Sequence, residues 1–151
     1  MSVSIINQQN ILKIQAPALR KLLQFFLMKS ANRTGIRWGE VSVVLVDDSG
    51  SRDVNEAYLG HAYATDVISF NLDPVPGEAD PGLCGEIIVN VEEARQKGCL
   101  YGGANHELAL YIAHGCDHLS GEDDQTPSQR QRMRRRELRW LKEARAKGLM
   151  K

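Results

Sequence analysis

The sequence predicts an α/β fold, more narrowly α+β: a single domain in which helices flank a mixed central β-sheet. Three observations predict it. The chain has 151 residues, the size of one ordinary domain. Its composition, 42% hydrophobic and 25% charged, is globular and sufficient for a core of its own. Short β-branched runs and longer stretches of helical periodicity are interspersed along the chain, the order expected of strands and helices layered together.

From the N-terminus, residues 3–6 read as a short first strand. After Pro17, Leu19, Leu22, Leu23, Phe26 and Leu27 recur at helical spacing, so one face of an amphipathic helix turns inward. Gly35 and Gly39 bracket a turn into the run VSVVLV over residues 41–46. That run is too apolar for a half-exposed strand and reads as a buried one. Asp48-Ser49-Gly50-Ser51 starts a short helix through Val54 and Tyr58. Residues 65–70 form another strand. The stretch DPVPGEADPG over residues 73–82 is a Pro/Gly loop before a strand over residues 86–91.

A short helix over residues 92–97 is expected to end at Gly98, with Gly102-Gly103 as a further break. Asn105 suits the N-cap of a helix over residues 106–119, stopped by Gly121. Thr126-Pro127-Ser128-Gln129 offers a cap, a proline at the first helical position and a glutamine three after the cap. The last helix runs from there to about residue 147.

Composition also narrows the setting. Cys84, Cys99 and Cys116 are odd in number and lack a C-x-x-C pair. A disulfide framework is not expected, and a reducing cytoplasm is. The opening residues lack the basic and apolar regions of a signal peptide, and no run is apolar enough to span a membrane. The formal net charge of zero conceals a division. Residues 1–125 carry 9 basic and 17 acidic side chains, whereas residues 126–151 carry 10 and 2. A basic segment on an acidic body points to a local polyanion contact.

The chemistry concentrates in the stretch HGCDHLSGEDD, residues 114–124. Residues four apart on a helix share a face, so His114 and His118 can present imidazole nitrogens to one metal ion. Gly121 permits the turn that ends the helix, and Asp124 follows as a third ligand. This is the spacing of a zincin-like helix. Three protein ligands leave a further position open for water or substrate. Glu122 and Asp123 are rival carboxylates, with spacing favouring Asp124. Two histidines on a helix this apolar need partners once buried. Asp117, rotated away from the ligand face, is expected to meet solvent, and Cys116 to be core. Gly115 stands where a zinc peptidase carries its general-base glutamate.

At these residues the chain resembles the YbeY family of metal-dependent endoribonucleases of ribosomal RNA processing. The family pattern H-G-x-x-H-L-x-G-x-D-H is met by His114-Gly115, His118-Leu119, Gly121 and Asp123, with Asp124 where the third histidine belongs. Residues 41–48, the pair Val54-Asn55, the segment TDVISF over residues 65–70, Gly85-Glu86-Ile87, and Met133 with Glu137 follow in family order. The resemblance covers roughly residues 40 to 148 and implies a single YbeY-like domain over residues 1–151. It implies zinc, one divalent ion per chain, held by His114, His118 and Asp124. It also places Asp66 and Ser69 at the cleft as catalytic candidates beside a water activated by the ion. The family's tyrosine-arginine pair appears as Tyr58-Leu59, which removes a cation from that cleft.

The last helix carries Arg130, Arg132, Arg134, Arg135, Arg136 and Arg139, whose guanidinium forks suit phosphate. They are the candidates for binding RNA or a ribosomal surface. The expected function is therefore a cytoplasmic, single-strand-specific, metal-dependent endoribonuclease of ribosomal RNA maturation or ribosome quality control. The competing expectations are a non-catalytic RNA- or ribosome-binding member of the fold and, behind it, a metal-dependent peptidase.

Overall fold

Among the described residues the β-branched runs assemble into a four-stranded sheet. Its strands are β1 (Ser2–Asn7), β2 (Trp38–Val46), β3 (Val67–Leu72) and β4 (Leu83–Asn90), in the order β1-β2-β4-β3. In this computed structural model, which describes residues 1–60, 64–73, 77 and 82–151, β1, β2 and β4 are parallel and β3 is antiparallel to β4. The sheet is therefore mixed, as the sequence predicts. The Pro/Gly stretch 73–82 lies largely outside the described residues.

Among the described residues five helices accompany the sheet: α1 (Ala16–Thr34), α2 (Asp48–Leu59), α3 (Val91–Tyr101), α4 (Ala104–Leu119) and α5 (Pro127–Ala146). Side chains alternate across β2 and β4 because successive residues of a strand point to opposite faces. Val41, Val43, Leu45, Ile87 and Val89 join the main core with α1, α4 and α5. Val44, Val46, Ile68 and Ile88 form a smaller cluster on the other face, where Val54 of α2 packs. Both faces of β2 are thus covered over most of its length, which explains a run without polar alternation. Leu23, Phe26 and Leu27 of α1 are fully buried, and the Trp38 indole donates to the Leu27 carbonyl at 2.8 Å.

Two boundaries differ from expectation. Gly98 does not end α3, which continues to Tyr101. A side-chain carbon at Gly98 would lie 2.4 Å from the Ala104 backbone nitrogen, so this glycine serves the close crossing of α3 and α4. Asn105 is not a cap: α4 begins two residues earlier than expected, at Ala104 after Gly103, with no side-chain cap. The Gly103 amide donates to the Gly98 carbonyl at 2.7 Å, and that tight corner sets the start. The capping box at Thr126 and Gln129 is present in full. Among the described residues no helix is long and apolar enough to cross a membrane.

Candidate metal centre

α4 is buried nearly all round, from Leu108 to Leu119, with His114 and His118 as the partly open positions on one flank. Past Leu119 the chain reverses through Gly121, whose φ of 103° belongs to glycine. That reversal brings Asp124 back over the histidines. Asp124 Oδ2 lies 3.2 Å from His118 Nε2 and 3.6 Å from His114 Nε2. One ligand atom from each of the three residues falls within 4.8 Å of the others.

The remaining ring nitrogens are anchored. His114 Nδ1 lies 2.8 Å from Glu137 Oε2, and His118 Nδ1 lies 3.1 Å from the Glu122 carbonyl. A carbonyl only accepts, so His118 carries its proton on Nδ1, and Glu137 imposes the same tautomer on His114. Both Nε2 lone pairs then face the carboxylate. Ligand atoms about 2.0–2.1 Å from a tetrahedral ion lie roughly 3.3 Å from one another, close to the two measured separations. The donor set and spacing fit one divalent ion.

Structure also separates the three acidic residues. Glu122 is engaged by Arg33 at 2.8 Å, and Asp123 accepts the backbone amide of Asp124 at 2.8 Å. Asp124 is the carboxylate of the turn that meets the histidines.

Two residues behind the site were not assigned roles from sequence. Glu137 is 1% exposed and holds His114. Its signal was legible: an acidic residue on the apolar stripe of Met133, Trp140, Leu141 and Ala144. Burial disfavours a charge on His114, but the hydrogen bond and charge of Glu137, together with the nearby carboxylates of Asp124 and Asp66, outweigh it and raise its pKa. Asp117 does not meet solvent as expected. It is rotated away from the ligands but into the interface with α5, fully buried, where Arg136 Nη1 donates to its two oxygens at 2.9 and 3.1 Å. Burial and a hydrogen bond shared with Glu137 push the Asp117 carboxyl up to about 7, against the pull of Arg136.

Arg136 accordingly leaves the set of RNA-binding candidates; its side chain is 12% exposed and committed to Asp117 and Glu122. Arg130 donates to the carbonyls of Asp124 and Gln125, steadying the ligand turn. Arg132, Arg134, Arg135 and Arg139 remain exposed on α5.

The three ligands open onto a groove of about 620 Å³ whose opposite wall is β3, with Asn55 and Leu59 of α2 beside it. Asp66 and Ser69 both line it. Ser69 Oγ donates to the Gly115 carbonyl at 3.4 Å, and Asp66 Oδ1 accepts the Val67 amide at 2.8 Å. Glu86 does not reach the groove; it lines a separate cavity with Ser42. Since the Asn90 amide donates to the Asp66 carbonyl, the alternation of an antiparallel ladder turns the amides of Ser69 and Asn71 toward the unpaired edge at this groove. Among the described lining residues Leu59 stands without a lysine or arginine neighbour.

Gly115 faces the sheet. A Cβ there would lie 2.5 Å from Ile87 Cγ2. The position that bears the base in zinc peptidases is filled by β4, so no glutamate could reach the ligands from it.

If Glu137 sets the orientation and basicity of His114, Glu137→Gln is expected to weaken divalent-metal affinity by about 10–100-fold. Competition titration against a chelator measures this; unchanged affinity would remove Glu137 from the site.

Residues 4–145 match the family model described as Endoribonuclease YbeY. Proteins named Endoribonuclease YbeY include one from Elusimicrobium minutum, 42% identical over 97 residues that span 63% of this chain and 67% of the relative. Another, from Desulforamulus reducens, is 35% identical over 144 residues, 91% of this chain and 93% of the relative. A third, from Syntrophomonas wolfei, is 34% identical over 92% of this chain and 94% of its own length. The fold is shared with a Thermotoga maritima protein solved in solution, with a TM-score of 0.59 and 21% identity over 97% of this chain and 94% of that one. With the helical histidine pair, the glycine turn and nearly the whole length accounted for, the chain belongs to the YbeY family of endoribonucleases.

Proposed function

We propose that this chain is a zinc-dependent endoribonuclease that cuts single-stranded RNA in the cytoplasm during ribosomal RNA maturation. The observation that carries this reading is the convergence of His114 Nε2, His118 Nε2 and Asp124 Oδ2 at the mouth of a groove walled by a strand edge. Zinc, when bound, supplies a Lewis acid for a phosphodiester oxygen and a nucleophile at neutral pH. The groove residues hold the strand: the edge amides of Ser69 and Asn71 donate to non-bridging phosphate oxygens. Asp66, fixed by the Val67 amide, accepts the proton of the attacking hydroxyl as its oxygen bonds to phosphorus, and returns it to the leaving ribose oxygen as the original P–O bond breaks. Ser69 Oγ, tied to Gly115, keeps β3 at a set distance from α4. The free cysteines, Cys84, Cys99 and Cys116, accord with a reducing compartment.

The test is cleavage of an unstructured RNA by zinc-loaded protein, with duplex RNA as the control. The expected result is cutting of the single strand alone, reduced by about 10²-fold or more in Asp66→Asn. A zinc-loaded chain that binds the RNA and leaves it intact would favour the non-catalytic reading, for which Leu59 is the motivating residue. Leu59→Arg restores a cation beside the phosphate and is expected to raise the cleavage rate about tenfold, ~1.4 kcal/mol of barrier.

A further inference from the structure

A second cavity, about 380 Å³, opens where α3, α4 and α5 meet. Its wall carries Lys97 from α3, His106 and Tyr111 from α4, and Arg134 and Leu138 from α5. Asp66 borders both this cavity and the metal groove, so the two are neighbours.

The antiparallel packing of α4 and α5 creates the arrangement. Arg130 reaches the Asp124 carbonyl at one end, Glu137 meets His114 in the middle, and Arg145 donates to His106 at the far end. His106 precedes His114 by eight residues, ~12 Å along the helix axis. At about 100° per residue, Arg130, Arg134 and Arg145 share the flank of α5 beside this row. Arg135 and Arg139 fall on the face opposite the buried stripe.

The cations of the cavity are the accessible charges. Arg134 on its wall is exposed, and Lys97 is 47% exposed in a pair with Glu93. Arg145, also exposed, stands at the rim, where it donates to His106 of the wall and to the Lys151 carbonyl. Of the two carboxylates on the wall, Glu107 is 6% exposed, and Asp66, half-buried, is shared with the metal groove and has one oxygen held by the Val67 amide. Tyr111 is 5% exposed, and its hydroxyl beside Glu107 lacks a well-formed hydrogen bond. Burial, with Asp66 and Glu107 nearby, raises its pKa and keeps its proton in place.

We propose that this cavity holds a backbone phosphate of the RNA strand whose neighbouring segment lies in the metal groove, bound by Arg134, Arg145 and Lys97. This rests on the RNA reading above and deepens it. The arginines of α5 divide into a flank that touches the substrate strand and an outer face that does not.

The test compares two double variants of the zinc-loaded, full-length protein that lose the same charge, Arg134→Gln with Arg145→Gln, and Arg135→Gln with Arg139→Gln. Equilibrium binding of a labelled unstructured RNA is followed across salt concentration. Each phosphate contact on a single strand contributes about 0.7 to the log–log slope, so the first pair should flatten it by about 1.4 and weaken binding ~25-fold near 0.1 M salt. The second pair should leave the slope unchanged. Lys97→Gln, on a different helix, should flatten it by about 0.7, and it serves if the first pair perturbs folding. Equal losses from both pairs, or an unchanged slope in the first pair and in Lys97→Gln, would overturn the proposal. A parent protein that neither binds nor cuts RNA would overturn the functional reading itself, a result distinct from a misassigned flank.

Discussion

His114→Ala and His118→Ala are expected to abolish metal binding and RNA cleavage together while leaving the fold in place. Each histidine contributes one of three convergent ligand atoms. Two remaining ligands cannot hold a tetrahedral ion against competing water and chelators. Asp124 completes the series and separates ligand identity from charge. Asp124→Ala should lose most of the affinity. Asp124→Asn should lose less, because its amide oxygen can still coordinate. Asp124→His should keep the ion, since an imidazole is an equivalent zinc donor. It would also raise the charge of the centre by one unit and shift the cleavage profile toward lower pH. Metal analysis of the purified variants and their cleavage rates across pH are the measurements. Normal metal content in Asp124→Ala would place the third ligand elsewhere in the turn.

Arg136→Met is expected to produce the largest stability loss among the α5 arginines. Asp117 is fully buried and Arg136 nearly so. Removing one partner of a buried pair costs about 3–5 kcal/mol, and less where the group left behind, like the already raised Asp117 carboxyl, can take up a proton. Arg33, 3.8 Å from Asp117, screens part of that, so ~3 kcal/mol is expected, a fall of roughly 6–12 °C in Tm for a chain this size. Arg135→Met, on the exposed face, should change stability by less than about 0.5 kcal/mol. Thermal unfolding of both variants decides the matter. Adding Asp117→Asn to Arg136→Met should recover part of the loss, because the carboxylate left behind is its source. Equal Tm values for the two single variants would show that the Asp117 pair contributes nothing to the fold.

The sequence alone determined the local features whose signals are short in range. The apolar run of β2 follows from β-branched residues covered on both faces, and the cap of α5 from a four-residue pattern at Thr126. The His114, His118 and Asp124 cluster was legible for the same reason. An i, i+4 histidine pair and a glycine turn are set by helix geometry, and Asp124 lies within one turn of chain from them. Tertiary structure decided what depends on elements distant in sequence. Gly98 reads as a stop signal, but its role is the close approach of Ala104. Asp117 and Arg136 read as surface charges, because nothing near either of them announces a partner nineteen residues away in the facing helix. Gly115 reads as a missing catalytic glutamate, yet β4 leaves no room for any side chain there. The division of the arginines is of the same kind. Their number is a property of composition, but which of them face RNA depends on how α5 is rotated against α4. That rotation is fixed by Met133, Glu137, Trp140 and Leu141 in the core, through packing that no local pattern encodes.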